Sequence, residues 1–403
     1  MSRLFRFDPM WQEHPLRDRY DVVVIGAGVH GLATAYYLAR RGITDVAVLE
    51  KGYLGSGNSG RNTAILRANY RTPEAIPFYS ESLALYEELS DDLDYNLMFS
   101  QQGHLTLAHT EAAVNGLRVR AEANRVMGVR SRIIGPAEIR RMVPALDTSS
   151  APRYPIMAAL YHAPGGIIRH DAVVWGYAHQ ASQLGVEVHA HTEVLDLGLQ
   201  AGRIATVHTN RGTIRTGAVV NATSGWCSLI AAMAGVELPI VSHPLQACVT
   251  EPMEPLLDKV IVSANLHVYV NQTPRGEFVI GAEIDPYPSY HLGSTLPTLK
   301  SMAFHALELF PDLHHVKVLR QWGGICDMTP DYSPIIDEHP EVGGFFMDVG
   351  WGTYGFKAGP AGGKCLAELI ATGRTPELIK PFRMTRFHEN RLVGEKASAA
   401  VSH

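Results

Sequence analysis

The sequence predicts an α/β fold with an α+β part, on three observations. These are a strand–helix–strand run between Tyr20 and Gly52, a second alternating run from about Ala151, and apolar–polar alternation within about residues 227–336. In the first run, "DVVVIG" is an apolar strand, "GLATAYYLARRG" an amphipathic helix closed by glycine, and "DVAVLE" a second strand. The second run gives strand-like "MAALYHAPGG" and the helix "DAVVWGYAHQASQLG", with Asp171 near its start and Gly185 just past its end. The strands "VEVHAHTEV", "GRIATVHTN" and "GTIRTGAVVNATSG" follow. Near the C-terminus "GGFFMDVGWGTYGFKAGPAGGKCLAELIATG" repeats strand, glycine-rich turn and helix, while runs such as "LHVYVNQTPRGEFVIGAEI" suit an antiparallel sheet.

At 403 residues the chain is too long for one simple core. The expected division is a domain holding the α/β blocks (20–88, 152–226 and 337–385) and a substrate domain on a large antiparallel sheet (89–151 and 227–336). A small polar tail, 386–403, is expected to be loose. Hydrophobic residues at 46% and charged ones at 19% fit a soluble globular protein, and a net charge of -5 gives no footprint for nucleic acid or an anionic membrane. Cys227, Cys248, Cys326 and Cys365 form no CxxC pair, so neither a disulfide framework nor a metal site is expected. The acidic and aromatic N-terminus does not suit a signal peptide, and the longest apolar run is broken by glycines and a histidine. A cytoplasmic protein is expected.

Gly26, Gly28 and Gly31 form "GAGVHG", with Ala27 and His30 between them, directly after the first strand, and Glu50 ends the second. Glycines allow a tight turn and close approach to a pyrophosphate, the helix N-terminus supplies positive potential, and Glu50 can accept from a ribose hydroxyl. This is a Rossmann-like dinucleotide site. FAD is favoured over NAD by what surrounds it. The polar, glycine-rich "GYLGSGNSGRNTAILR" follows at once, so that Lys51, Asn58, Arg61, Asn62 and Thr63 can run along an extended cofactor. "VVNATSGW" ends a strand in small residues, bringing Ala222, Gly225 and Trp226 close to it, and Val194 joins the cofactor set.

These three parts together resemble the FAD-dependent amine oxidoreductases of the D-amino-acid oxidase and sarcosine oxidase superfamily, over nearly the whole chain. "GWGTYGFKAGPAGGK" looks like that family's flavin-ring loop, which implies contacts from Gly352, Tyr354, Gly355 and Lys357 and a helix N-terminus that stabilises charge on the reduced ring. "WGGICDMTPDYSPIID" resembles the stretch before it. Members that oxidise D-amino acids or glycine carry an arginine where this chain has Cys326. Sarcosine oxidases instead use an arginine and a lysine that match Arg67 and Lys357, and an arginine fork suits a desolvated carboxylate. Taken alone, Arg67 also suits a phosphate or surface contact, and Lys357 a solvated position. Tyr269 completes the catalytic candidates.

Two departures bear on the electron path. Val279 and Ile280 stand where monomeric sarcosine oxidases carry an oxygen-activating lysine, and Gly324 stands where those enzymes carry a flavin-anchoring cysteine. The resemblance therefore implies non-covalent FAD that reacts poorly with oxygen. Within the superfamily the chain is most similar to the beta subunits of heterotetrameric sarcosine oxidases. That likeness implies hydride transfer from sarcosine to FAD, and then electrons passing to FMN held covalently on His170 of "GGIIRHDAVVWGYA" and on to oxygen, giving hydrogen peroxide. The iminium would yield formaldehyde or 5,10-methylenetetrahydrofolate. Attachment needs a neutral imidazole, which the helix N-terminus favours and Asp171 opposes, and Arg169 is placed to meet the FMN phosphate. Among 19 histidines, His170 by spacing alone is a helix-start residue. The likeness further implies an alpha subunit with NAD and tetrahydrofolate sites, a gamma subunit, and a delta subunit with zinc. The alternatives are a flavoprotein subunit of another amine or amino-acid dehydrogenase complex (proline, opine, dimethylglycine) and a non-enzymatic flavin-binding scaffold.

Overall fold

A computed structural model describes residues 9–395. The first eight residues, part of the N-terminal stretch read above, and the end of the tail lie outside them. From the N-terminus come β1 (Val22–Ile25), α1 (Val29–Arg40), β2 (Val46–Leu49), β3 (Ile65–Leu66), α2 (Ala75–Asp92), β4 (His104–Ala108), α3 (Glu111–Val126), β5 (Arg132–Ile134), α4 (Pro136–Met142) and β6 (Ala158–His162). Next are β7 (Gly166–Ile167), α5 (His170–Gln183), β8 (Glu187–His189), β9 (Val194–Gln200), β10 (Arg203–Thr209), β11 (Gly212–Arg215), β12 (Val219–Asn221) and α6 (Cys227–Met233). The C-terminal part holds β13 (Val241–Pro252), β14 (Val260–Ser263), β15 (Val268–Gln272), β16 (Glu277–Ile284), α7 (Leu296–Leu309), β17 (Val318–Met328), β18 (Ile335–Glu338), β19 (Phe345–Val349) and α8 (Gly359–Thr372).

A six-stranded sheet runs β18-β19-β12-β1-β2-β8, parallel except where β18 meets β19. Its central strands β1 and β2 are apolar throughout because both faces are covered. Val22 and Val24 of β1 pack among residues of α1, α5 and α8, whereas Val23 and Ile25 pack toward α6 and the three-stranded sheet β11-β10-β9. The segment read as one strand, "GTIRTGAVVNATSG", is broken into β11 and β12, which join different sheets.

The second large sheet has eight strands, β17-β13-β16-β15-β14-β4-β6-β5, antiparallel except for β14 beside β4. One face buries Leu105, Leu107, Ile261, Val268, Val270, Phe278 and Ile280 with residues of α4 and α7. The opposite face looks toward the six-stranded layer. Here β6 departs from the segmentation expected from sequence: it pairs with β4 from His104↔His162 to Ala108↔Ala158 and with β5, so it belongs to this sheet and not to the α/β block that follows it. Likewise β18 begins at Ile335, within the stretch read as substrate domain, and lies in the six-stranded sheet. Both differences arise from long-range strand pairing, which local alternation does not encode. Among the described residues no helix is long and apolar enough to cross a membrane.

Candidate active site

The turn between β1 and α1 closes only with glycine. Gly26 takes φ +106°, and a Cβ there would lie 2.6 Å from the Ala222 carbonyl oxygen, while a Cβ on Gly31 would fall 1.9 Å from the Gly26 carbonyl oxygen. Gly28 is the N-cap of α1, and the Val29 N–H donates to Ser59 Oγ at 2.9 Å. At the end of β2 the Glu50 carboxylate accepts the N–H groups of Ala27 (3.1 Å) and Gly52 (2.8 Å), which fix it beside the turn.

A cavity of about 690 Å³ runs from this turn to the face of the eight-stranded sheet that looks toward the six-stranded layer. Gly26, Gly28 and His30, then Glu50 and Lys51, then Asn58, Arg61, Asn62 and Thr63 lie along it. Val194, Ala222 and Trp226 form an adjoining wall, with Lys51 Nζ 4.8 Å from the centre of the Trp226 ring. Gly352, Tyr354, Gly355 and Lys357 line it from the loop before α8. Ala27 and Gly31 lie behind the wall as parts of the turn. Gly225 faces β17, where a Cβ would stand 2.5 Å from the Ile325 side chain, so this glycine serves packing between layers. A glycine turn that no Cβ would let close, opening on a cavity with room for an extended ligand, fits FAD.

The loop before α8 is held at several points. Tyr86 donates to the Phe356 carbonyl (2.6 Å), Ser82 to the Lys357 carbonyl (2.8 Å), and Trp351 Nε1 to Asp348 (2.7 Å). His30 stacks on Trp351 with ring centroids 4.5 Å apart, contacts the Gly355 carbonyl at 2.8 Å, and pairs with Asp348 at 3.0 Å. Burial works against a charge on His30, but Asp348 and the Gly355 carbonyl outweigh it and raise its pKa. The glycines of α8 serve a different end: a Cβ on Gly363 would meet Ala33 at 2.6 Å, so they let α8 pack closely on α1.

Strand register sets the floor of the cavity. Thr106 pairs with Val262, Val262 with Tyr269, Tyr269 with Gly281, and Gly281 with Ala247. A Cβ on Gly281 would overlap the Tyr269 ring at 1.9 Å, so the glycine makes space for that ring. Burial raises the Tyr269 phenol to about 12, although its hydrogen bond with Thr63 opposes the shift. At this end Arg67 is buried, its Nη1 donating to the Asn69 side-chain oxygen at 3.2 Å and its guanidinium 4.3 Å from the Tyr70 ring centre. Lys357 also lines the cavity, and burial, then the nearby Arg67 charge, push its ammonium down to about 7. Two cations forced together in a buried end suit an anion such as a carboxylate.

Two positions read as departures stand differently. Gly324 lines the cavity, and a Cβ there would lie 3.1 Å from Asn58 Oδ1, which accepts the Ile325 N–H at 2.9 Å. Asn58 thus occupies the space beside the position of an anchoring cysteine. Ile280 points into the core on the α7 side, and neither it nor Val279 lines the cavity. Cys326 does line it, its thiol pushed up by burial.

His170 lies elsewhere, as the first residue of α5. Its Nδ1 is buried with no partner among the described residues. Burial lowers its pKa, and Arg169 adds to this against the opposing Asp171. The Arg169 guanidinium is gripped by Asp171 at 2.7 and 3.1 Å, so its charge is already partly met.

Among the cavity residues that sequence reasoning missed are His104 and Thr106 of β4, both buried. The alternation in "GHLTLAH" carried the signal: it places the two on one strand face, opposite Leu105 and Leu107. Gly165 makes room for His104, because a Cβ there would meet the His104 Cβ at 2.6 Å.

A dinucleotide cradle leading to a cationic end under an antiparallel sheet defines an FAD-binding oxidoreductase. The chain belongs to the FAD dependent oxidoreductase family, whose model matches residues 21–369, and within it to the group of sarcosine oxidase beta subunits. It is 43% identical to "Sarcosine oxidase subunit beta" of Rhodobacter capsulatus over 98% of this chain and 95% of that protein. It is 44% identical to the protein of the same name from Rhizobium meliloti, over 97% and 94%. The solved L-proline dehydrogenase of P. horikoshii superposes with a TM-score of 0.88 at 30% identity, covering 94% of this chain and 100% of that one.

Proposed function

We propose that this chain is the catalytic beta subunit of a sarcosine oxidase, an oxidoreductase acting on the CH–NH group that demethylates sarcosine to glycine. The observation that carries the reading is Arg67 and a half-buried Lys357 meeting at the end of the FAD cradle. Arg67 offers a fork and Lys357 a point charge to the substrate carboxylate, which turns the N-methyl group toward the place of the flavin ring. FAD, bound without a covalent link, supplies the acceptor for the hydride equivalent. Tyr269, fixed by Thr63, and the apolar floor around it keep water from the reacting carbon. The step asks no side chain for a proton, only that the amine arrive neutral. Formaldehyde, or 5,10-methylenetetrahydrofolate where tetrahydrofolate traps the iminium, is the other product.

His170 is proposed as the covalent attachment point of FMN, through which electrons reach oxygen as hydrogen peroxide. Support comes from its partnerless Nδ1 and its lowered pKa, since attachment needs a neutral ring nitrogen. The name "subunit beta" on the relatives fits a multi-subunit complex. We assign the further subunits as an alpha chain with NAD and tetrahydrofolate sites, a gamma chain and a delta chain. Turnover of sarcosine by the purified complex tests the reading, and no turnover contradicts it. The likeness to L-proline dehydrogenase favours one rival, a subunit of a proline or related amine dehydrogenase complex. Comparing proline, octopine and dimethylglycine with sarcosine as substrates separates the two.

A further inference from the structure

Arg67, and Lys357 in the ammonium form that pairs with a carboxylate, are donors and do not accept the N–H of a neutral secondary amine. The Tyr269 hydroxyl is engaged with Thr63. Acceptors stand instead on β4. His104 is 1% exposed and Thr106 6%, and both line the cavity. His104 Nδ1 and Nε2 and Thr106 Oγ1 have no partner among the described residues. A buried polar atom left so is costly unless a ligand or water meets it. His104 is also near enough to the two site cations to feel them. Burial first, then Arg67, Arg120, His162 and Lys357, hold its imidazole neutral, with one ring nitrogen always able to accept. The Cβ that Gly165 lacks would meet the His104 Cβ, so the glycine keeps the ring in the wall.

We propose that His104 and Thr106 accept the amine N–H of the substrate and make the site selective for secondary over tertiary N-methyl amino acids. This rests on the sarcosine reading above. Neutral sarcosine has one N–H to give, whereas N,N-dimethylglycine has none and would leave the β4 acceptors unmet in a dry site. A site built around a hydrogen bond rejects an analogue that lacks it more strongly than it rejects an added methyl alone.

The test compares kcat/KM for sarcosine and for N,N-dimethylglycine in the flavin-loaded complex. The native protein should favour sarcosine by roughly 100-fold or more. Thr106→Val, which keeps the shape, should lower that preference roughly tenfold through the sarcosine value, and Thr106→Ser should restore it. His104→Leu should act like Thr106→Val, and if it does not retain flavin the pair at 106 decides. Acetate, a carboxylate with no amine, should perturb the flavin spectrum of Thr106→Val at the same concentrations as in the native protein. The inference is overturned by an unchanged preference in the flavin-replete variants, by a native protein that uses both amines equally, or by weakened acetate binding in Thr106→Val. A native protein that oxidises neither amine overturns the sarcosine reading and this inference with it.

Discussion

Leu66 pairs with Gly166 across the β3–β7 ladder, so the strand that leads into Arg67 lies beside the strand that leads into His170. Backbone bonds continue the link, from the Ile168 N–H to the Ala64 carbonyl at 3.1 Å and from the Arg169 N–H to the Leu97 carbonyl at 3.2 Å. The proposed carboxylate anchor and the proposed second flavin position are therefore fixed to one small ladder. His170→Ala should leave sarcosine reduction of FAD close to native in rate but remove the covalent flavin and slow turnover with oxygen. After denaturation and filtration, the native chain should stay yellow and the variant should be colourless. A colourless native chain would remove the attachment claim.

Lys357 couples stability to pH. Its folded value of about 7 lies below the ordinary lysine range near 10.4, so between these values the unfolded chain binds more protons and stability rises with pH. Lys357→Met should remove that rise and leave the FAD-free chain more stable than native below pH 7. The same change should raise KM for sarcosine roughly tenfold or more, since one of two charges on the carboxylate is gone. Denaturant titrations at several pH values and steady-state kinetics check both halves.

Arg67→Lys keeps the charge but loses the fork. A lysine cannot reproduce both the contact with Asn69 and the stacking over Tyr70. With FAD still bound, kcat/KM for sarcosine should fall roughly 100-fold. A fall below about threefold would place the carboxylate elsewhere.

Asp331, of the sequence "TPD", is a fold device. It holds Arg386 at 2.8 and 3.0 Å in a pair with side chains 1% and 3% exposed, and accepts the Val393 N–H at 3.1 Å. Asp331→Ala should cost about 3–5 kcal/mol in urea denaturation, because a buried guanidinium is left unmet. Burial alone would raise the Asp331 carboxyl, but Arg386 outweighs it and holds it low, so the stabilisation persists above the ordinary carboxylate range and fades as pH falls through the lowered value.

What was legible in the sequence was local. The βαβ unit announced itself because strand, glycine turn, helix and acidic strand end fall in one continuous stretch, and Gly26 and Gly31 do what the spacing requires. The loop around Lys357 was legible for the same reason. Strand partners were not: β6 looked like the start of an α/β block, and only its pairing with β4 places it in the other sheet. His104 and Thr106 went unseen because nothing local tells which face of β4 meets the cavity. Arg169 looked free for a phosphate, yet its neighbour Asp171 grips it.

The central claim is that sarcosine delivers its electrons to FAD bound in this chain. The direct measurement mixes the flavin-loaded protein with sarcosine in the absence of oxygen and follows the visible absorbance of oxidised FAD. It should bleach at a rate able to support turnover, and bleach far more slowly in Arg67→Lys. An absorbance left unchanged by sarcosine would contradict the claim.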